Sequence, residues 1–370
     1  MKFYLVGGAV RDMLLGISPK EYDFVFDGTV DEFISRNPRA RKAGNDFNIC
    51  ILNGIEYAPI RGTSIQQDLQ FRDVTINALA LDECGQLYSL PRTLSDLERK
   101  ILRPASDTAF IKDPLRVFRV ARFAAEYSDF TVHPDAIRQM RIVSESGLLQ
   151  SLTAERVALE LMKALHAAQP GRFLEVLNDA DCLEPWFLEL SRMSTIPAGP
   201  VEYHLSDCLA HTVNAVNKCV PDSVACYMAL CHDLGKQETP EGLLPRHIGH
   251  EKRGEALARQ LGERLKLPKR LIKAGALAAR QHMKGGDYPS LRAGTKVDLL
   301  LSLHKLELME PFFEMVKADS GKDHFLSAKQ DLDVVLSVSL PLEKQNLGEE
   351  SGIFLRQLRC MKLASSFSRE

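Results

Sequence analysis

Hydrophobic and polar positions follow two different periods along the chain, and the change falls near residue 105. Before it, short apolar runs bounded by turn-forming residues predict β-strands, because such runs are too short for typical helices. These runs are Phe3–Val6, Phe24–Phe26, 46–53 and 55–60, the last two joined at Asn53-Gly54, a strong hairpin signal. After residue 105, apolar residues recur at helical spacing. The pattern predicts an α+β fold, with a small N-terminal mixed sheet followed by an all-α region.

Helical patterns also cover the segments that carry candidate chemistry. Ala9–Leu15 should form a helix that ends at Gly16, and Arg72–Ala80 should form one with an apolar face. Asp113-Pro114 is a typical helix start, with Asp as the N-cap and Pro as the first helical residue. A further helix, containing a Cys-His-Asp-Leu sequence, should end at Gly235. Each predicted helix therefore lies beside a charged or glycine-containing motif.

Composition narrows the class of protein. A chain of 370 residues is too long for one core, so about two to four domains or subdomains are expected. The apolar fraction of 45% is typical of a globular protein, no apolar run reaches membrane-spanning length, and no signal peptide is evident. We therefore expect a cytoplasmic protein without membrane contacts. The eight cysteines include no Cys-x-x-Cys pair, which favours reduced thiols, and a net charge of −2 restricts nucleic-acid contacts to local patches.

The first candidate site lies near the N-terminus. Gly7-Gly8 follows the first predicted strand, and two adjacent glycines allow the backbone to approach a phosphate closely, while Arg11 can add a fixed positive charge. Glu21 and Asp23 are two residues apart, so on a strand both carboxylates point to the same face. Two carboxylates facing a triphosphate suit Mg²⁺-assisted phosphoryl or nucleotidyl transfer. Glu56 is either a third carboxylate on this face or a solvated strand residue.

A second motif is the row of arginines that follows Asp113-Pro114. Arg116, Arg119 and Arg122 recur every third residue and so lie along one side of a helix. Three like charges this close are unfavourable unless an anion or a base edge meets them. A solvated basic stripe is the simpler interpretation of such a row when it occurs alone.

Histidines concentrate in the second half of the chain. Their order is His211, His232-Asp233, His250 and His282, followed by Asp319. Imidazole and carboxylate groups together suit a divalent metal such as Ni²⁺ or Mn²⁺, and a metal of this kind can assist phosphate-ester hydrolysis. His250 and His282 would complete the site or bind phosphate, and Lys236 would neutralise charge there. A single His-Asp dipeptide would carry little information, but the ordered set predicts a metal centre.

Taken together, the motifs resemble a known family. G-G-A-V-R-D, the acidic pair, R-D-V-T-I-N-A-L-A and D-P-L-R-V-F-R-V-A-R-F-A are similar to motifs of the bacterial class II tRNA nucleotidyltransferases, the CCA-adding enzyme and poly(A) polymerase family. The histidine set resembles the HD metal-dependent phosphohydrolases. The resemblance implies a polymerase-β-like head at 1–105, a helical neck and body at 106–200, an HD domain at 201–330 and a helical tail at 331–370.

The resemblance also implies roles for individual residues. Glu21 and Asp23 would be catalytic and bind Mg²⁺, and His232 and Asp233 would be catalytic in the HD domain. The nucleotide-binding positions are Gly8, Arg11, Arg72, Arg119 and Arg122. The HD metal ligands are His211, His232, Asp233 and Asp319, with His250 and His282 as further candidates. The implied function is addition of C and A from CTP and ATP to the tRNA 3′ end without a nucleic-acid template, accompanied by phosphatase, 2′-nucleotidase and 2′,3′-cyclic phosphodiesterase activities.

Three departures from the family pattern leave alternatives open. Glu21 stands where the family normally has aspartate, and Phe71 replaces an arginine that usually precedes Arg72. The segment Gly62–Phe71 is shorter than the family's flexible loop, which favours a variant that adds only C. A divergent homologue that acts mainly through HD-domain hydrolysis on tRNA 3′ ends or nucleotides is the alternative from another reaction class. A non-enzymatic tRNA-binding protein is the third, and the protein would be a monomer or homodimer.

Overall fold

The computed structural model describes residues 1–43, 49–200 and 206–367. The beginning of the predicted 46–53 strand lies outside these residues. The chain forms two compact units, one made of Met1–Leu152 with Val176–Cys182 and the other of Thr153–Glu175 with Leu183–Glu370. The predicted boundary at 330/331 falls inside a helix, Phe325–Leu336.

The first unit contains a mixed sheet, as the sequence pattern predicts. Its strands are β1 Phe3–Val6, β2 Asp23–Phe26, β3 Arg41–Ala43, β4 Ile49–Leu52, β5 Ile55–Pro59, β6 Leu79–Asp82 and β7 Leu87–Ser89. They form one seven-stranded sheet in the order β3-β4-β5-β2-β1-β6-β7. Only β2 and β5 pair in parallel within this sheet as the structure describes it. A separate pair joins β8 Ile101–Leu102 to β9 Thr131–Val132.

Helices of the first unit flank the sheet and extend from it. They are α1 Gly8–Leu14, α2 Val30–Arg36, α3 Ile65–Leu69, α4 Thr93–Glu98, α5 Ala109–Lys112, α6 Arg116–Glu126 and α7 Pro134–Glu145. Phe26 and Phe33 stack at 4.7 Å between ring centroids and join β2 to α2. On the other side of the sheet Val6, Val25 and Leu69 share a buried cluster that fixes α3 against β1 and β2.

The rest of the chain is helical. Its helices are α8 Ala154–Leu165, α9 Gly171–Asp179, α10 Cys208–Lys218, α11 Ser223–Cys231, α12 His250–Arg264, α13 Lys269–Gly286, α14 Ala293–Lys305, α15 Met309–Ser320, α16 Phe325–Leu336 and α17 Glu349–Phe367. A small mixed sheet followed by helices confirms the predicted α+β fold class.

The predicted helix at Arg72–Ala80 is wrong. The segment contains one 3-10 turn, Thr75–Asn77, and then enters strand β6. The Thr75 N–H donates to the Arg103 carbonyl at 2.8 Å, and β6 pairs with β1 through Tyr4 and Asp82. Short apolar runs fit buried strands as well as helices, and here pairing in the sheet determines the outcome.

A buried ion pair stabilises the C-terminal helices of the second unit. Lys296 on α14 lies 3.1 Å from Asp331 on α16, which also accepts a hydrogen bond from the Tyr288 hydroxyl at 2.8 Å. The Lys296 side chain is 4% exposed. Its ammonium lies 4.6 Å from the Tyr288 ring centroid. The low exposure makes the Asp331 carboxylate important, because a buried ammonium that loses its counter-charge is costly.

We therefore expect Asp331→Ala to lower the free energy of unfolding of this unit by about 3–5 kcal/mol. Asp298→Ala is the matched control, because it removes a carboxylate paired with Arg356 where both side chains are about half exposed. Chemical denaturation followed by circular dichroism measures both variants. Equal midpoints for the two variants would contradict the stabilising role of the buried pair.

Candidate functional site

The glycine turn at the end of β1 is fixed by backbone geometry. Gly7 has a φ of 69°, a conformation that L side chains rarely adopt, and its N–H donates to the Leu79 carbonyl at 3.0 Å. A Cβ built on Gly7 would lie 3.7 Å from a guanidinium nitrogen of Arg72, and one on Gly8 would lie 3.2 Å from a nitrogen of Arg11. The turn therefore brings two of the predicted nucleotide-binding arginines close to exposed backbone.

Arg11 is enclosed by protein groups. It is 7% exposed, and its guanidinium donates to the Asp12 carboxylate at 2.8 Å and to the Asn77 side-chain carbonyl. It also lies 4.8 Å from the centroid of the Tyr127 ring. The structure thus places Arg11 within an internal polar network, behind the glycine turn.

That network continues into the helix that carries the arginine row. Asp73 is buried, and it accepts hydrogen bonds from the Asn77 amide at 3.0 Å and from the Val74 N–H at 2.8 Å. Its second oxygen pairs with Arg119 at 2.7 Å. Burial alone would raise the pKa of Asp73, but Arg119 and these hydrogen bonds outweigh it and lower the pKa below its ordinary value. Asp73 therefore connects the head to α6 as a charged group.

The arginine row is held mostly by protein partners. Arg116 donates to the carbonyls of Arg72 at 3.0 Å and Ala109 at 2.9 Å, and also to the Phe71 carbonyl. Arg122 pairs with Glu126 at 2.6 Å. Regular helix α6 begins at Arg116 rather than at Pro114, so the predicted start is two residues early, although Asp113 still accepts a 3.4 Å hydrogen bond from the Leu115 N–H.

The short segment before Arg72 is well ordered. Ser64 caps α3 through the Gln67 N–H. Asp68, fully buried, pairs with Arg72 at 2.7 Å and with Arg61 at 2.9 Å. Asp68 is a residue that motif analysis missed; the only signal is its position four residues before Arg72, which is the spacing of neighbours on a helix.

The three head carboxylates lie on the strands that border a cavity of about 670 Å³. Asp23 and Glu56 are direct partners across the parallel β2–β5 pair, and both line the cavity together with Arg61, Asp68 and Arg72. Partial burial and the Glu21 charge raise the pKa of Asp23, although its side chain reaches solvent. Partial burial and the charges of Asp23 and Glu21 likewise raise the pKa of Glu56. This mutual repulsion is what a bound cation relieves, so the residues present fit Mg²⁺.

The histidines converge from separate helices in the second unit. His211 lies on α10, which Asp207 caps, and His282 lies on α13. His250 begins α12, Asp319 lies in the last turn of α15, and His232 directly follows α11. His211 Nε2 is 2.9 Å from Asp319 Oδ1 and 3.4 Å from His232 Nε2. His250 Nε2 is 3.0 Å from His282 Nε2.

Backbone carbonyls fix the orientation of three imidazoles. His232 Nδ1 lies 2.6 Å from the Ala229 carbonyl, and His250 Nδ1 lies 2.7 Å from the His247 carbonyl. His282 Nδ1 contacts the Ala279 carbonyl at 3.1 Å. A carbonyl can only accept, so each Nδ1 donates its hydrogen and each Nε2 points inward. This is the usual second contact of metal-binding histidines.

Asp233 occupies the centre of the cluster. Its side chain is 1% exposed, and its oxygens lie 3.1 Å from His232, 3.5 Å from His250 and 3.6 Å from His282. Neither oxygen accepts a hydrogen bond of good geometry from the described residues, although the Lys236 ammonium is 2.6 Å away.

The electrostatics of the cluster fit a bound cation. Burial lowers the pKa of His232, but Asp233 and Asp319 outweigh it and raise the pKa to about 10. Burial lowers the pKa of His282 to about 4, so His250 and His282 face each other with unprotonated Nε2 atoms. Two lone pairs 3.0 Å apart repel unless a cation lies between or beside them. His211, His232 and Asp233 form one set of candidate metal ligands, and Asp233, His250 and His282 form another.

Gly235 has a different role from the predicted helix stop. Helix α11 ends at Cys231, and Gly235 lies within a 3-10 helix, Leu234–Glu238. A Cβ on Gly235 would lie 2.0 Å from the His250 carbonyl oxygen, which is an impossible contact. The close approach of α12 to this turn therefore requires glycine, and it brings His250 to the cluster.

Comparisons with known proteins agree with this organisation. Residues 3–53 match the poly A polymerase head domain, 129–193 match a probable RNA-binding site of polymerase A, and 209–309 match the HD domain. The chain is 37% identical over 345 residues to the multifunctional CCA protein of Pseudomonas fluorescens, covering 86% of this chain and 83% of the relative. The chain belongs to the multifunctional CCA protein family. The predicted family membership is thereby confirmed.

A second relative shows where family members differ in length. The multifunctional CCA protein of Acinetobacter baumannii is 34% identical over 403 aligned positions, covering 98% of this chain and 97% of the relative. The alignment is longer than the 370 residues of this chain, so the relative contains segments that this chain lacks.

The solved structures agree in fold. The CCA-adding enzyme of Thermotoga maritima in complex with tRNA is similar with a TM-score of 0.67 and 20% identity, covering 98% of this chain and 87% of that one. A complex of a CCA-adding enzyme with CTP is similar with a TM-score of 0.66, 20% identity and coverage of 98% and 87%. Within the described part of this family member, no helix is long and apolar enough to cross a membrane.

The convergent histidines lead to a direct test of metal binding. We expect His232→Ala and Asp233→Asn to weaken binding of Ni²⁺ or Mn²⁺ by roughly a hundredfold, because loss of a ligand costs at least as much as loss of its supporting contacts. Equilibrium dialysis followed by elemental analysis measures the metal bound per chain. His304→Ala, an exposed histidine on α14, is the matched control. Metal contents equal to that of the control variant would exclude this cluster as the metal centre.

Proposed function

We propose that this protein is a tRNA nucleotidyltransferase that adds C and A to the tRNA 3′ end from CTP and ATP without a nucleic-acid template, and that its HD domain hydrolyses phosphate esters. The observation that carries the proposal is the placement of the glycine turn, the carboxylates and Arg72 beside one another in the head of a multifunctional CCA family member. The names of its relatives support the same activity.

In the head, Glu21 and Asp23 hold Mg²⁺, and Glu56 adds negative charge beside them. When bound, Mg²⁺ neutralises the triphosphate and favours ionisation of the attacking hydroxyl. The tRNA 3′-oxygen forms a bond to the α-phosphorus of the nucleotide while the bond to pyrophosphate breaks. Gly8 offers backbone N–H groups to the triphosphate, and Asp68 together with Arg61 orients Arg72 toward it.

Selection of the base falls to the neck. Arg119 and Arg122 contact the nucleotide, since guanidinium groups can match the hydrogen-bonding edge of a base. Arg11 supports this arrangement from behind, because Asn77 and Asp73 connect it to Arg119. The arginines are therefore preorganised by buried carboxylates, which limits the rearrangement that binding requires.

In the HD domain, His211, His232, Asp233 and Asp319 hold a divalent transition metal such as Ni²⁺ or Mn²⁺, with His250 and His282 as further ligands. The metal supplies a nucleophilic hydroxide and polarises a phosphate ester. His232 and Asp233 are central, because both are buried and each contacts several other members of the cluster. The substrates would be phosphate monoesters, nucleoside 2′-phosphates and 2′,3′-cyclic phosphates.

The proposed organisation is a nucleotidyltransferase head at 1–105, a neck and body at 106–200 that bind nucleotide and tRNA, an HD domain at 201–330 and a tail at 331–370. The protein acts in the cytoplasm as a monomer or homodimer, with tRNA, CTP and ATP as its partners.

A variant that adds only C is favoured by one specific feature. The segment Gly62–Phe71 is short and is fixed by the contacts of Asp68 with Arg61 and Arg72. A relative that contains additional segments aligns over the whole chain. A short, ordered connection offers little freedom to reshape the nucleotide pocket between C and A addition. The other alternative, an enzyme that acts mainly by hydrolysis, is favoured by Glu21.

Addition to defined tRNA ends tests the proposed transfer. Purified protein receives tRNA ending before, within or after CCA, with labelled CTP or ATP and Mg²⁺. Incorporation of both nucleotides is expected; C without A would assign the C-only variant. Asp23→Asn should reduce incorporation by at least roughly a hundredfold, since a displaced or missing ligand misplaces the reacting groups. Asp31→Asn, an exposed change on α2, should have no comparable effect. Absence of incorporation by the wild type would leave the hydrolase alternative.

The altered carboxylate gives a separate prediction. The extra methylene of Glu21 shifts its oxygens by about an ångström, and Mg²⁺ tolerates departures from octahedral geometry poorly. Glu21→Asp should therefore increase the rate of nucleotide addition by roughly tenfold to a hundredfold. Glu83→Asp, an exposed change after β6, is the control. An unchanged or lower rate for Glu21→Asp would show that this head is adapted to glutamate.

A further inference from the structure

A cavity of about 590 Å³ opens beside the histidine cluster of the second unit. Three segments line it, residues 198–200, 245–252 and 280–284, together with Lys236. Two of its lining residues also belong to the cluster: His250 Nε2 is 3.5 Å from Asp233, and the Lys236 ammonium is 2.6 Å from Asp233. A ligand in this cavity therefore lies next to the candidate metal ligands.

The cavity lining is positively charged. Lys236, Lys252, Arg280 and Lys284 contribute cationic groups, against the single carboxylate of Glu251. Lys252 and Lys284 have no acidic partner at ion-pair distance among residues 1–43, 49–200 and 206–365, and Arg280 is as far as 3.9 Å from Glu251.. Cations that lack protein counter-charges attract an anionic ligand.

The same cavity has an apolar side. Ile248 and Met283 line it and are 68% and 52% exposed, respectively. Pro200 and Pro245 add further apolar surface. His247 contributes a wall rather than a free donor, because one ring nitrogen contacts the Thr239 hydroxyl and the other the Pro197 carbonyl, both at 2.8 Å. Apolar walls with a few convergent charged groups are typical of small-ligand sites.

We propose that this cavity holds one nucleoside phosphate, with its phosphate beside Lys236 and the histidine cluster and its base on Ile248 and Met283. The proposal rests on the proposed hydrolytic function of the HD domain and gives that function a substrate class. The volume lies in the range of about 300–1,000 Å³ that holds a single small ligand. The ligand is a free nucleotide or the terminal nucleotide of an RNA, since both present the same chemistry.

Two double variants of the full-length, metal-loaded protein separate the charged and apolar sides. Lys252→Ala with Lys284→Ala should raise KM roughly tenfold for both adenosine 2′-monophosphate and glycerol 2-phosphate, because both carry the phosphate. Ile248→Ser with Met283→Ser should raise KM for adenosine 2′-monophosphate alone, because glycerol 2-phosphate has no base. The matched controls are Lys273→Ala on α13, an exposed lysine, and Leu326→Ser, which is as exposed as Ile248.

Direct binding makes the result independent of hydrolysis. Titration calorimetry with adenosine 2′-monophosphate should show about tenfold weaker binding to each double variant than to its control. If the wild type hydrolyses neither substrate, the proposed hydrolytic function fails, while weaker binding to the variants still supports the site. Equal binding and equal KM values in variants and controls would overturn it.

A comparison of two substrates identifies the source of the nucleotide. The variants are assayed with adenosine 2′,3′-cyclic monophosphate and with tRNA that ends in a 2′,3′-cyclic phosphate. Loss of kcat/KM with both assigns the cavity to terminal RNA nucleotides as well as free ones. Loss with the free nucleotide alone assigns it to free nucleotides, and loss with neither overturns the proposal.

Discussion

The histidine domain depends on one buried negative charge, the carboxylate of Asp233. A charge that is 1% exposed is strongly unfavourable unless other charges or a metal compensate it. Imidazoles from separate helices, the Lys236 ammonium and the position left for a cation provide this compensation together. Gly235 is part of the same constraint, because only glycine lets α12 approach closely enough to bring His250 to the carboxylate. Helix packing around Asp233 is therefore inseparable from the chemistry of the site.

The nucleotidyltransferase head solves a related problem with buried carboxylates of its own. Asp68 holds Arg61 and Arg72, and Asp73 holds Arg119, so the charges that would meet a nucleotide are already fixed in position. Flexible arginines would lose side-chain entropy on binding, and prior fixation reduces that cost. The arrangement also explains why a polar segment as short as Gly62–Phe71 is ordered, since Asp68 is joined to residues on both sides of it.

The sequence alone predicted the fold class, the family and the residues that meet in each site, because these depend on local patterns and on motifs with fixed spacing. It failed where long-range pairing decides the structure. Ala78 and Leu79 fit a helix by pattern, but pairing of β6 with β1 makes this region strand. Gly235 fits a helix stop, but its actual constraint is the carbonyl of His250, which is distant in sequence. Asp68 carries no recognisable motif, and its importance follows only from the two arginines that fold around it.

The two sites also differ in how much change they can absorb. Glu21 is exposed and precedes β2, so the longer side chain meets no steric barrier and its consequence falls on the positions of its oxygens. The ligands of the histidine cluster have no such freedom, since backbone carbonyls fix three imidazoles and Asp233 is enclosed on all sides. A substitution there would leave an uncompensated buried charge and disturb the packing of several helices. Stability therefore preserves the hydrolytic site, whereas only the demands of catalysis preserve the acidic pair. The departure from the family pattern at Glu21, beside an intact histidine cluster, is what this difference in constraint predicts.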